Sequence, residues 1–237
     1  MKEPAYAHKS ELFVLSSIII PEKFKPKLDK LTRKLKTKYF KDEEIVFHSR
    51  EMYRRKGPYA ILQDQKVELN FWSEFIAILA DPRLSVIFVI INKKKAKQKG
   101  WQQKTILEKT YTKMLDAFAI KQLKQGISGK IIVESDPSQD LYLIAAHNRM
   151  QNIGASNNIM TGKEYREKLT SLSLVNKRNL DIDVQIADAL APIAGMMYSY
   201  NILQKQRQMN NIERMKENLI KEKLGNTVNP SIFEVLI

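Results

Sequence analysis

Continuous apolar runs and helix-spaced apolar residues alternate along the 237-residue chain. The first run, ELFVLSSIII at residues 11–20, is rich in β-branched residues and is ended by Pro21, as is typical of a buried strand. Further strands are predicted at residues 83–95, 129–140 and 171–175, where the first runs into a basic loop and the second breaks at SDPS. Residues 44–48 fit a short strand or the start of a loop, and residues 231–237 fit a strand or a docking tail.

Helical periodicity fills most of the intervals between these runs. In residues 21–39 the side chains of Phe24, Leu28, Leu31 and Leu35 share one face, which predicts a basic amphipathic helix. Further helices are predicted at residues 65–81, 107–124 and 141–151. One long helix is predicted from Asp181 to about Lys223, where Gly225 and Asn226 would end it.

This alternation of strands and helices predicts an α/β fold with a central sheet and a long C-terminal helix. After Tyr200 the composition turns to Gln, Asn, Lys and Met, which suggests a domain over residues 1–200 and a helix with a tail over 201–237. The tail helix, residues 202–224, is expected to pack on its own domain or to pair with a protein partner or a second copy.

The net charge of the chain indicates which class of partner it could bind. Forty Lys and Arg against 26 Asp and Glu leave a net charge of +14, which favours polyanions, with nucleic acid ahead of an anionic membrane. The chain has no cysteine, its N-terminus lacks the apolar core of a signal peptide, and its early apolar run is too short to span a bilayer. A cytoplasmic protein without disulfides or a membrane span is expected.

Two basic segments could contact a phosphate backbone. REMYRRKGPYA combines arginines with tyrosines, which can grip phosphates and stack on bases, or it is a solvated turn set by Gly57 and Pro58. NKKKAKQKGW is a flexible basic loop that either contacts a backbone or is plain lysine-rich surface. The predicted nucleic-acid contacts are Arg50, Arg54, Arg55, Lys93, Lys94 and Lys95.

Three carboxylates suggest metal chemistry. Asp188 lies in the apolar stretch VQIADALAPIAG, Glu134 closes the strand KIIVE, and Asp140 starts the next helix. An acid at a strand end and an acid on a helix packed against the sheet can converge on Mg²⁺ or Mn²⁺, which prefer carboxylate oxygens. The alternatives are a Glu134 that caps or pairs with a nearby Lys, and an Asp188 that faces solvent.

Four segments, in this order, resemble the bacterial domain-of-unknown-function family 3800, whose fold is RNase H-like. These are FVLSSIII, EIVFHSREMYRRKGPYAIL, IIVES and VNKRNLDIDVQIADALA, and the resemblance covers roughly residues 11–200. It implies a mixed RNase H-like sheet flanked by helices and a metal-dependent nuclease or related phosphoryl-transfer protein. Glu134 and Asp188 would hold the metal, with Asp140 as a weaker ligand, His48 and Lys177 beside it, and Gln185 as support.

The chain departs from the family at one decisive place. The family opens with a strand ending in Asp-Glu-Ser-Gly, whose Asp is the central metal ligand, and no such stretch precedes residue 11. The first strand either lies upstream or is lost. The two resulting hypotheses are an RNase H-like nuclease and an inactive nucleic-acid- or protein-binding module of the same fold, with phage defence or mobile elements as its setting.

Overall fold

The computed structural model describes residues 11–176, 181–203, 208–227 and 231–237. The chain divides into two units, each built from separated segments. The first comprises Met1–Leu15, Ile87–Lys177 and Ile232–Ile237, and the second comprises Ser16–Val86 and Arg178–Ser231.

A three-stranded sheet has the order β1-β2-β5, with β1 at Leu12–Ile19, β2 at Ser85–Asn92 and β5 at Ile232–Val235. Every residue of SVIFVIIN in β2 is buried, as expected for a continuous apolar run between two neighbours. Strand β5 runs parallel to β2, with Ile87 opposite Ile232. The final segment therefore completes a sheet, which was one of the two predicted alternatives.

A second sheet pairs β3 (Gly129–Glu134) with β4 (Leu169–Val175) in parallel. Because parallel neighbours need a crossover, two helices connect them: α6 at Asp140–Ile153 and α7 at Gly162–Lys168. The mixed α/β class is confirmed, but the predicted single central sheet is wrong for the described residues, which form a three-stranded and a two-stranded sheet. An apolar run predicts a strand, and it does not specify which strand lies beside it.

The core of the first unit lies between the helices α5 (Gln103–Lys121) and α6 on one side and the strands β1, β3 and β4 on the other. The helix α4 precedes α5 and spans Lys93–Gln98. Leu107, Tyr111 and Leu115 of α5 join Leu143 and Met150 of α6 in one buried cluster. Side chains of β1, β3 and β4 pack against this cluster, namely Phe13, Leu15, Ile131, Val133 and Leu172.

The second unit is helical. Its helices are α1 (Lys25–Phe40), α2 (Ser49–Arg54), α3 (Gln65–Leu79), α8 (Ile182–Met197) and α9 (Asn211–Gly225). Aromatic rings fill its centre, where Phe71 contacts Phe40, Phe47 and Phe75. The buried Tyr59 donates its hydroxyl to the Val46 carbonyl at 2.5 Å, so the segment before α2 is tied to the aromatic core.

Two predicted segments differ from the structure. The long helix predicted from Asp181 to Lys223 is wrong, because α8 ends at Met197, a short π-helical stretch follows at Tyr198–Ile202, and α9 begins at Asn211. Asn210 and Glu213 form a reciprocal capping box that starts α9. The basic loop predicted after β2 is the helix α4, because the Asn92 side chain accepts from the Lys95 N–H and caps it.

Candidate functional site

The carboxylate of Asp188 caps a helix in its own unit. Its Oδ2 accepts from the Ser49 backbone N–H at 2.8 Å, and its Oδ1 accepts from the Ser49 hydroxyl at 3.1 Å. His48 occupies the cap position of α2 and makes no side-chain cap bond of its own. Asp188 therefore supplies from α8 the acceptor that the first turn of α2 needs, and its negative charge suits that end of a helix.

His48 contacts the same carboxylate. Its Nδ1 lies 3.3 Å from Asp188 Oδ2, and both side chains are about one-third exposed (30 % and 37 %). This contact brings the imidazole and the carboxylate together at the start of α2. His48 and Asp188, two of the predicted site residues, are therefore neighbours in the structure.

Gln185 makes the matching contact one helical turn earlier. It is buried, and its Oε1 accepts from the Phe47 backbone N–H at 3.0 Å and from Lys36 Nζ at 2.9 Å. Residues i and i+3 of a helix share a face, and alternate N–H groups of an extended segment point the same way. Gln185 and Asp188 thus bind the backbone at Phe47 and Ser49 respectively, and we call this arrangement the backbone clamp.

Lys36 is the unexpected member of this region. Its side chain is 3 % exposed, and its Nζ lies 4.9 Å from the centroid of the Phe47 ring. Burial lowers the pKa of Lys36 to about 8. Gln185 supports Lys36 and the segment before α2, which differs from the predicted support of Asp188 as a metal ligand.

Glu134 and Asp140 belong to the first unit. Glu134 ends β3 opposite Val175 of β4 and is half-buried. Asp140, the first residue of α6, accepts from the Ser135 hydroxyl at 2.7 Å and from the Asp136 N–H at 2.8 Å. Asp140 therefore stabilises the SDPS turn through these two hydrogen bonds.

The turn beside Asp140 also affects a tyrosine. Burial, together with the charges of Asp136 and Asp140, raises the pKa of Tyr111 to about 12. The Tyr111 hydroxyl lies 3.3 Å from Gln139 Oε1. This tyrosine is therefore a neutral hydrogen-bond donor near the turn.

The predicted metal ligands do not form one set within either unit. Glu134 lies in the first unit and Asp188 in the second. Over the described ranges, no three His, Cys, Asp or Glu side chains group in a way that could hold a metal ion. Both oxygens of Asp188 accept hydrogen bonds from Ser49, which accounts for this carboxylate by its role in capping α2. Lys177 lies outside the described residues.

The lysines after β2 fall on two sides of α4. Lys93 is buried, which lowers its pKa and makes it a poor phosphate contact, whereas Lys94 and Lys95 are exposed as predicted. Two further exposed lysines, Lys97 and Lys99, were not among the predicted contacts. The sequence signal that could have identified them is the helical spacing of Lys93 and Ala96, the two buried positions of α4, which leaves the lysines between and after them exposed.

The four exposed lysines Lys94, Lys95, Lys97 and Lys99 define what we call the α4 basic surface. None of them forms an ion pair with a residue that the structure describes. The base of this surface is rigid, because Ala96 and Trp101 pack with Ile91 and Ile106. Lys109 adds a further charge, with its Nζ 4.9 Å from the centroid of the Trp101 ring.

The arginine segment in the second unit is only partly available. Arg50 and Arg54 are exposed one turn apart on α2. Arg55 ends the helix with a positive φ of 51°, and its guanidinium pairs with Glu68 at 2.9 Å. Because this arginine is paired with a carboxylate, the exposed Arg50, Arg54 and Lys56 are the basic residues of the segment that are open to a ligand.

Comparisons with protein-family models, with curated proteins and with solved structures find no match to this chain. A membrane-crossing helix is also absent from the described part of the chain, since each of its helices is too short or too polar.

Proposed function

We propose that this protein binds nucleic acid through the α4 basic surface. The observation that carries the proposal is the exposure of four lysines on one short, well-anchored segment without acidic partners among the described residues. Unpaired lysines close together attract a polyanion more strongly than lysines already neutralised by carboxylates.

The chemistry of the surface suggests what it recognises. Lysine offers a mobile point charge, which suits phosphate oxygens and reads no base edge. The net charge of +14 supports attraction over a longer range. We therefore expect binding that depends little on sequence and strongly on salt.

In this proposal Trp101 supports the α4 basic surface and does not stack on bases. Its indole packs on the cluster formed by Ile91, Ala96 and Ile106, and Lys109 lies over its ring. Phosphate contact rather than base stacking is therefore the expected source of affinity, so single strands and duplexes should both bind.

Metal-dependent cleavage stays a prediction from the family resemblance. The contacts of Asp188 and Asp140 within their units favour structural roles. Of the two hypotheses, the exposed lysines support a nucleic-acid-binding protein of the predicted RNase H-like class.

Fluorescence anisotropy with labelled RNA and DNA oligonucleotides tests the proposal. The test variant carries Lys→Gln at Lys94, Lys95, Lys97 and Lys99. A control variant carries the same number of Lys→Gln changes at the exposed Lys66, Lys121, Lys163 and Lys221, so the two variants have equal net charge.

We expect the test variant to bind at least about tenfold more weakly than the control, because only its changes remove phosphate contacts. Equal affinities of the two variants would contradict the proposal and would leave net charge alone as the source of binding.

A further inference from the structure

A lysine is buried between aromatic rings in the second unit. Lys216 of α9 is 4 % exposed, and its Nζ lies 3.4 Å from the centroid of the Trp72 ring and 4.5 Å from that of Tyr53. Trp72 belongs to α3, and Tyr53 belongs to α2. The amine therefore lies where α9 meets two other helices.

The polar surroundings of Lys216 are sparse. Its Nζ donates to the Tyr53 hydroxyl at 3.2 Å, and it makes no ion pair with the described residues. The charged groups that face it are Glu68 on α3, Glu213 on α9 and Arg55 at the end of α2. Arg55 already neutralises Glu68 at 2.9 Å, and the Glu213 carboxylate accepts from the Asn210 N–H in the capping box. Neither acid therefore fully compensates the ammonium.

Opposing forces act on the proton of Lys216. Burial removes water from the ammonium and favours the neutral amine, whereas the two ring faces and the nearby acids favour the charged form. Burial outweighs the charges of Glu68 and Glu213 and lowers the pKa of Lys216 from 10.5 to about 7. An exposed lysine keeps the ordinary value, so α9 binds fewer protons when docked than when released.

The position of Lys216 on the helix gives this difference a structural consequence. The buried side chains of α9 are Lys216, Leu219, Ile220 and Lys223, so Lys216 lies on the face through which α9 packs on α3. The helix cannot keep this packing and also return the amine to water.

We propose that Lys216 is a proton-sensitive latch that holds α9 against α2 and α3. A group that loses its proton on docking strengthens docking as the pH rises from the docked to the free pKa. Between about pH 7 and about pH 10, titration of Lys216 should therefore change the docking equilibrium by up to about tenfold for each unit of pH. Lys223 on the same face, whose pKa burial lowers to about 8, acts in the same direction. This inference does not depend on nucleic-acid binding, since the α4 basic surface lies in the first unit.

The fluorescence of Trp72 reports this latch directly. The chain has two tryptophans, so Trp101→Phe leaves Trp72 as the single emitter. Emission is followed against pH in this parent and in two derivatives, Lys216→Met and Lys221→Met. Lys221 is an exposed lysine of the same helix that pairs with Glu217, and it serves as the matched control.

The parent and the Lys221→Met derivative should show a transition near pH 7, and Lys216→Met should lose it. Histidine titration remains in all three proteins, so the difference isolates Lys216. An unchanged transition in Lys216→Met would overturn the proposal. If Lys216→Met does not fold, ¹³Cε-lysine NMR of the unaltered protein decides. The absence of a lysine resonance that titrates near 7, below those of Lys36 and Lys223 near 8, contradicts the latch.

Discussion

Asp188 and Ser49 are joined by two hydrogen bonds across 139 residues of sequence, one from the Ser49 N–H and one from its hydroxyl. This pairing explains why a carboxylate lies in the middle of a largely apolar helix. The Asp188 carboxylate is about one-third exposed and caps the N-terminus of α2. It therefore avoids the free-energy cost of an unpaired buried acid.

Asp188→Ala should lower the free energy of unfolding by about 1–3 kcal/mol, because the first turn of α2 loses its acceptor. Urea unfolding measures the loss, with Ser49→Ala as a milder variant that keeps the backbone donor. The loss should be the same in EDTA and in Mn²⁺. A loss that appears only with Mn²⁺ would restore Asp188 as a metal ligand.

Lys36 and Gln185 should behave as a coupled pair. Gln185→Met removes the polar acceptor of a buried ammonium, and this should cost about 2–4 kcal/mol of stability. The double variant Lys36→Met/Gln185→Met should recover a large part of that loss, because no buried charge remains. A double-mutant cycle by urea unfolding measures the coupling, and additive effects would refute it.

The edge position of β1 should be visible in amide exchange. Strand β2 is paired on both sides, whereas β1 has β2 as its single partner among the described strands, and all eight of its residues are half-buried. Alternate β1 amides should therefore exchange faster than any amide in the middle of β2. Hydrogen exchange followed by NMR checks this, and uniform protection of both strands would indicate a further partner for β1.

Local structure was largely predictable from the sequence. The strands at Leu12–Ile19, Ser85–Asn92 and Gly129–Glu134 follow from short runs rich in apolar residues, and α1 and α3 follow from helical spacing. The end of α8 and the start of α9 were not predicted, because the helical pattern of the sequence continues past the capping residues Asn210 and Glu213. The grouping of strands into two sheets depends on contacts between distant segments, which periodicity does not encode.

In the candidate site, too, local spacing was predictable from the sequence and contacts between distant segments were not. The spacing of Gln185 and Asp188 correctly places them on one face of α8, beside the buried Ile182, Ile186 and Ala189. Their partners at residues 47 and 49 were not predicted, since only the folded chain brings α8 against that segment. Lys216 was also missed, although its spacing of four from Ile212 and Ile220 already placed it on the apolar face of the helix.

The salt dependence of nucleic-acid binding tests the central claim most directly. Affinity for a duplex DNA is measured between about 50 mM and about 200 mM salt for the native protein, the α4 variant and the equal-charge control. If each lysine of the α4 basic surface neutralises one phosphate, the slope of log K against log salt should be smaller by about 3–4 in the α4 variant than in the control. Equal slopes in the two variants would show that the α4 basic surface does not contact the phosphate backbone.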